Sequence, residues 1–146
     1  MLYRHRDGAV QVLLAHPGGP FWRGRDVGAW TIPKGLVEPG ENPQATARRE
    51  FEEEMGTMPA GDLRPLARIR QRGGKWVEAF ALEGDFEVTA LRSNPFALEW
   101  PPHSGRTAEF PEVDRAEWFA LDEARRKILA SQEPLIDALV ELLEQP

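Results

Sequence analysis

The 146-residue chain predicts an α/β fold in which a mixed β-sheet packs between helices. Two observations carry this. Strand-type segments stand both before and after a sharply punctuated helix, and a helical stretch with a continuous apolar stripe closes the chain.

Leu2 to Arg4 and Ala9 to Ala15 read as two strands about an Asp7-Gly8 turn. Pro17 to Gly28, rich in glycine and proline, reads as a loop, and Trp30 to Ile32 as a short extended run ending at Pro33. Asn42-Pro43 starts a helix, because asparagine caps well and proline suits the first helical position. Gly56 suits its left-handed stop, so the helix runs to about Met55. Arg64 to Gln71 and Lys75 to Leu82 form strands around Gly73-Gly74, with Trp76 and Phe80 packing on one face. Asn94 to Pro111, with four prolines, reads as a long irregular stretch. Ala116 to Leu121 is a short strand. Asp122 caps a helix through Leu129, and Ser131 caps a last one carrying Leu135, Ile136, Leu139, Val140, Leu142 and Leu143.

Composition bounds the function. One domain over residues 1–146 is expected, with 41% hydrophobic residues to build its core. A net charge of −6 gives no general attraction for a nucleic-acid polymer or an anionic membrane. The absence of cysteine excludes thiol chemistry and disulfides and fits a reducing, cytoplasmic setting. No apolar run approaches the ~20 residues of a membrane span, and no signal peptide is visible.

Glu50, Glu53 and Glu54 stand at i, i+3 and i+4 on the first helix, within about a third of its circumference. Ala47, Phe51 and Met55 form a neighbouring stripe suited to the core, so the acids lie at the core's edge. Like charges at this spacing repel. A hard divalent cation, which takes oxygen ligands and shares its shell with phosphates, would compensate them. Arg49 can hold one carboxylate by a charge-assisted hydrogen bond. The bland alternative is a solvated acidic face.

Gly35, five residues, Glu41, seven residues, then Arg49-Glu50-Phe51-Glu52-Glu53-Glu54-Met55-Gly56-Thr57 resembles the signature of the Nudix hydrolases, G-x5-E-x7-R-E-U-x-E-E-x-G-U. Its charged and glycine positions all match. Phe51 and Thr57 depart from the usual aliphatics, a matter of packing. Trp30-Thr31-Ile32-Pro33-Lys34-Gly35 is similar to the family's lead-in strand, and Glu117-Trp118-Phe119 with Leu121-Asp122-Glu123-Ala124 to its closing strand and helix.

The resemblance implies an α/β/α sandwich and Mg²⁺- or Mn²⁺-dependent cleavage of a phosphoanhydride bond in a nucleotide. It implies Glu50, Glu53 and Glu54 as metal ligands, the Gly35 carbonyl as a further one, Arg49 as an orienting arginine, and Glu41 as support for the loop or a second metal. In many members the general base lies on a loop before the closing strand. Glu112 is the first choice for that base and for an added ligand, and Glu109 the second; Glu50 or Glu53 is the fallback on the helix. Lys34, Trp30, Arg106, His103, Trp100 and Phe96 are candidates for phosphate or base contacts, each with packing or solvation as its alternative. The run from Trp30 to Glu41 looks most like members that split diadenosine tetraphosphate. A nucleoside triphosphate or a nucleotide sugar such as ADP-ribose is the alternative substrate. A binding module that does not cleave is the alternative of another class, disfavoured because such domains lose the carboxylates kept here.

Overall fold

A computed structural model describes residues 1–33, 40–70, 73, 74 and 76–145. Strand β1 (Leu2–Arg6) turns through Asp7-Gly8 into β2 (Ala9–Pro17). Helix α1 (Pro43–Met55) follows, then β3 (Arg64–Arg70) and β4 (Trp76–Glu83). A separate ribbon of β5 (Pro95–Glu99) and β6 (Thr107–Pro111) precedes β7 (Val113–Ala120). Helices α2 (Leu121–Lys127) and α3 (Pro134–Glu144) complete the order.

Five strands form one sheet in the order β3-β4-β1-β2-β7. The β1–β4 pair is parallel, with Leu2 opposite Leu82, and the other pairs are antiparallel. The sheet is therefore mixed, as the sequence predicts. Period-two alternation divides its side chains between two cores. Tyr3, Val12, Leu14 and Phe119 face α3, where Leu135, Ile136 and Leu139 are buried. Leu2, Leu13, Ala15 and Ala116 face α1 and bury its Phe51 and Met55. The result is an α/β/α sandwich, with α1 alone on the layer that carries the acids. Among the described residues no helix is long and apolar enough to cross a membrane.

Several local expectations are corrected. Asn94 to Pro111 is a hairpin: Phe96 pairs with Phe110 and Leu98 with Ala108. Pro95 and Pro111 occupy its outer ends, where a missing N–H costs no ladder bond. Strand β7 starts at Val113, three residues earlier than Ala116. Asp122 is no cap; it lies in the first turn of α2, where its charge complements the helix dipole. Ser131 belongs to a single 3-10 turn, and α3 opens at Pro134. Trp76 is 53% exposed beneath the Arg68 guanidinium, 5.0 Å from its ring centre, while Phe80 is buried. The predicted strand ends at Gln71 and Lys75 lie outside the described residues.

Leu139, fully buried against the sheet, tests this packing. Leu139→Ala is expected to cost about 2–5 kcal/mol. Urea unfolding should then show a lower midpoint with an unchanged slope; an unchanged midpoint would mean that α3 is not docked on the sheet.

Candidate active site

Helix α1 is fixed at both ends by its own sequence. The Asn42 side chain accepts from the Gln44 and Ala45 amides at 2.9 and 3.2 Å, and Pro43 opens the first turn. At the other end Gly56 takes φ +100°, and its amide donates to the Glu52 carbonyl at 2.7 Å.

Along the exposed edge of this helix Arg49 reaches three acids. It donates to Glu41 at 3.1 and 3.4 Å, to Glu50 at 3.2 Å and to Glu53 at 3.4 Å. Thr46 donates its hydroxyl to Glu41 at 3.1 Å, which fixes that carboxylate from the other side. The hydrogen bond to Glu41, with the charges of Glu41, Glu50 and Glu53, holds the Arg49 guanidinium more firmly protonated than usual. Burial raises the pKa of Glu50 above the ordinary carboxylate range, and the charges of Glu53 and Glu112 raise it further. Arg49 works against that rise. Negative charge thus accumulates on one helical edge faster than the single arginine offsets it.

Backbone hydrogen bonds tie Glu112 to this edge. The Asn94 amide donates to the Glu53 carbonyl at 2.9 Å, and the Asn94 carbonyl accepts from the Glu112 amide at 3.0 Å. On either side, the Arg92 amide donates to the Met55 carbonyl at 3.0 Å and the Ser93 hydroxyl accepts from the Val113 amide at 2.9 Å. The Glu112 carbonyl accepts from the Gly18 amide at 2.9 Å. Two glycines permit this contact. A Cβ on Gly56 would sit 2.8 Å from the Arg92 carbonyl oxygen, and one on Gly18 would sit 1.9 Å from that of Pro111.

The structure sorts the predicted residues. Glu50, Glu53, Arg49 and Glu112 come together, and half-buried Glu54 follows Glu53 on α1. Glu109 stands on the exposed face of β6 opposite Ala97 and has no part in the field at Glu50. Lys34 and Gly35 lie outside the described residues. Trp30 takes its packing alternative: it is 1% exposed, its indole donates to Asp26 at 2.9 Å, and His16 and Phe119 meet it edge-on at 5.1 Å. No ring face is left to stack a base. Phe96 packs against Phe110 and beneath Gly19, and Trp100 meets Phe21 edge-on at 5.7 Å. His103 and Arg106 sit at the ribbon tip, where the Glu99 carboxylate and Ser104 hydroxyl accept their amides. The tip is four ladder steps, roughly 13 Å, from the end that adjoins Glu112. Trp100, His103 and Arg106 are therefore not gathered with the acids, and Phe96, near the other end, is taken up in packing on Phe110 and Gly19. Ser93, Asn94 and Gly18 escape sequence reading. The Asn94-Pro95 pair signals a turn, but nothing local says what the turn touches.

Among the described residues no three acids or histidines form a ready-made metal cluster, since Arg49 stands among Glu41, Glu50 and Glu53. The donor chemistry nevertheless suits a hard cation: the gathered groups are all carboxylates, with an excess of negative charge.

Comparisons with known proteins bear on the family and the fold. The family model of the NUDIX domain matches residues 2–139. An RNA pyrophosphohydrolase of Brucella anthropi is 30% identical over 138 residues, covering 75% of this chain and 72% of that protein. One from Brucella ovis is 26% identical, covering 90% and 83%. A Caenorhabditis elegans Ap4A hydrolase binary complex superposes with TM-score 0.65 at 23% identity, covering 97% of this chain and 93% of that one. The NUDIX domain of Shewanella oneidensis NrtR complexed with ADP ribose gives TM-score 0.65 at 19% identity, covering 97% and 83%. At these identities the structural likenesses speak for the fold.

Gly56→Ala tests the contact between α1 and the Glu112 turn. The positive φ and the close approach to Arg92 should together cost about 1–3 kcal/mol. Once a substrate is in hand, kcat should also fall at a temperature where the variant is still folded, because the turn carrying Glu112 shifts. A destabilised variant with unchanged kcat would show that the contact is structural only.

Proposed function

The chain belongs to the Nudix family of pyrophosphohydrolases, and from that premise we propose that it cleaves a phosphoanhydride bond in a nucleoside-capped chain of several phosphates, with a dinucleoside polyphosphate as the leading substrate. The supporting observation is the gathering of Glu50 and Glu53 about Arg49, with Glu112 close enough for its charge to act on Glu50. The likeness of the Trp30 to Glu41 run to diadenosine tetraphosphate hydrolases selects the leading substrate. A 5′-triphosphorylated RNA end is the second reading, favoured by the names of the sequence relatives. It departs from the expectation that no nucleic-acid polymer is a partner, yet the reacting group is again a phosphate chain. The setting proposed is the cytoplasm.

Glu50, Glu53 and Glu54, with Glu112 beside them, would hold Mg²⁺ or Mn²⁺. The Gly35 carbonyl is a further proposed ligand. A divalent cation held there supplies charge neutralisation at the transferring phosphoryl group. Arg49 orients Glu50 and Glu53 and ties them to Glu41. Glu112, exposed and on a turn held by its backbone, is the proposed general base: its carboxylate takes the proton of the attacking water. Positioning and electrostatics provide the remaining acceleration.

Product analysis over diadenosine tetraphosphate, a 5′-triphosphorylated RNA oligonucleotide, nucleoside triphosphates and ADP-ribose, with and without Mg²⁺, tests the reading. Turnover is expected for polyphosphate substrates and only with the cation. Undiminished turnover in excess chelator, or turnover of ADP-ribose alone, would contradict it. With the preferred substrate, Glu112→Gln should lower kcat about 10²–10⁴-fold, while Glu109→Gln should change it less than threefold, since Glu109 adds nothing to the charge felt by Glu50. The reverse order would transfer the role to Glu109, and small losses at both would return it to Glu50 or Glu53.

A further inference from the structure

Beyond Glu53, α1 presents one more face of side chains to solvent. Arg49, Glu52, Glu53 and Gly56 stand at i, i+3, i+4 and i+7, so they share one side of the helix. Arg92 and Asn94 close the other wall, and together the six residues line an open groove of about 530 Å³. Its geometry is built by backbone contacts. The Arg92 and Asn94 amides are spent on the Met55 and Glu53 carbonyls, and Gly56 lets the Arg92 main chain approach closely. The side chains of Arg92 and Asn94 are therefore carried into the groove on a fixed segment.

What those side chains do there is unexplained by the fold. Among the described residues the Arg92 guanidinium makes no hydrogen bond or ion pair, although Glu52 and Glu53 line the same groove. The Asn94 side-chain amide is likewise unpaired among the described residues. Arg49, by contrast, is committed to Glu41, Glu50 and Glu53. A planar guanidinium with open donors matches two oxygens of a phosphate, and an adjacent amide adds a donor to the same anion. The position selects for chain length. Gly56 lies three residues past Glu53, about 4.5 Å along the axis. The Arg92 main chain faces Gly56, so a phosphate chain that extends along this side of α1 from the carboxylates runs toward Arg92.

Resting on the proposed polyphosphate hydrolysis, we propose that Arg92, with Asn94, binds a phosphate beyond those held at the α1 carboxylates and so favours substrates with three or more linked phosphates. Arg92 is a binding and specificity residue in this account, and the chemistry is left to the acids.

The test uses the full chain with Arg92→Ala and Arg92→Lys. For diadenosine tetraphosphate, Arg92→Ala should raise KM about tenfold and change kcat less than threefold, with Arg92→Lys intermediate. For ADP-ribose, any residual turnover should show the same KM in both proteins to within twofold. Calorimetric titration with inorganic tripolyphosphate in Mg²⁺ gives a reading independent of turnover, and Arg92→Ala should weaken binding by a similar factor. Melting curves guard against a purely structural role, because a cation at a helix C-terminus also favours the helix dipole. A lower melting temperature with unchanged KM and unchanged tripolyphosphate affinity would overturn the proposal. So would an equal loss of affinity for tripolyphosphate and pyrophosphate. Absence of turnover in the wild type across all substrates would sink the reading of the function, while the tripolyphosphate titration would still decide the role of Arg92.

Discussion

Asn94 joins two parts of the chain that sequence separation keeps apart. Its amide donates to the Glu53 carbonyl on α1, and its carbonyl accepts from the Glu112 amide ahead of β7. These two main-chain bonds hold the acid-bearing helix and the Glu112 turn in a common geometry, and the packing of Phe51 and Met55 with Val113 supports it. Gly56 and Gly18 are the steric conditions for it, because a Cβ at either would collide with a facing carbonyl. The sheet supplies the frame: β7 runs antiparallel to β2, and the bulge between His16 and Pro17 brings Gly18 against Glu112. Backbone positioning of this kind leaves the Glu112 carboxylate free for chemistry.

Charge is the second constraint. Burial and the charges of Glu53 and Glu112 raise the pKa of Glu50, while Arg49 only partly opposes the rise. Carboxylates gathered beyond what one arginine neutralises are costly for stability and suited to a cation. The same excess explains how a chain of net charge −6 would take a polyanion: the field must be reversed locally, by a bound cation and by arginines that face the groove. The unpaired Arg92 is the second element of that reversal.

The architecture and the acid helix were legible in the sequence, because both follow from local rules. Asn42-Pro43 and Gly56 bracket α1, and Glu50, Glu53 and Glu54 fall on one edge by helical period. The strands of the main sheet alternate or pair across tight turns. The misses have physical causes. Four prolines masked the Phe96–Phe110 pairing of the ribbon, since the rule against proline in strands does not apply at strand ends. Trp30 was legible as a core residue or a cleft wall, and burial by His16, Phe119 and Asp26 from elsewhere in the chain decides for the core. Asn94 and Arg92 act through their main chain on a helix some forty residues earlier, and no period or motif encodes such a contact.

Native-state hydrogen exchange at the amides of Asn94 and Glu112 tests the central claim most directly. Both lie outside the strands and helices, where open loops exchange at nearly the intrinsic rate. The account predicts protection comparable to that of Gly56 at the end of α1, and loss of it at both positions together in Gly56→Ala. Exchange of either amide at the intrinsic rate in the wild-type protein would contradict the account, because the turn carrying Glu112 would then not be tied to the helix.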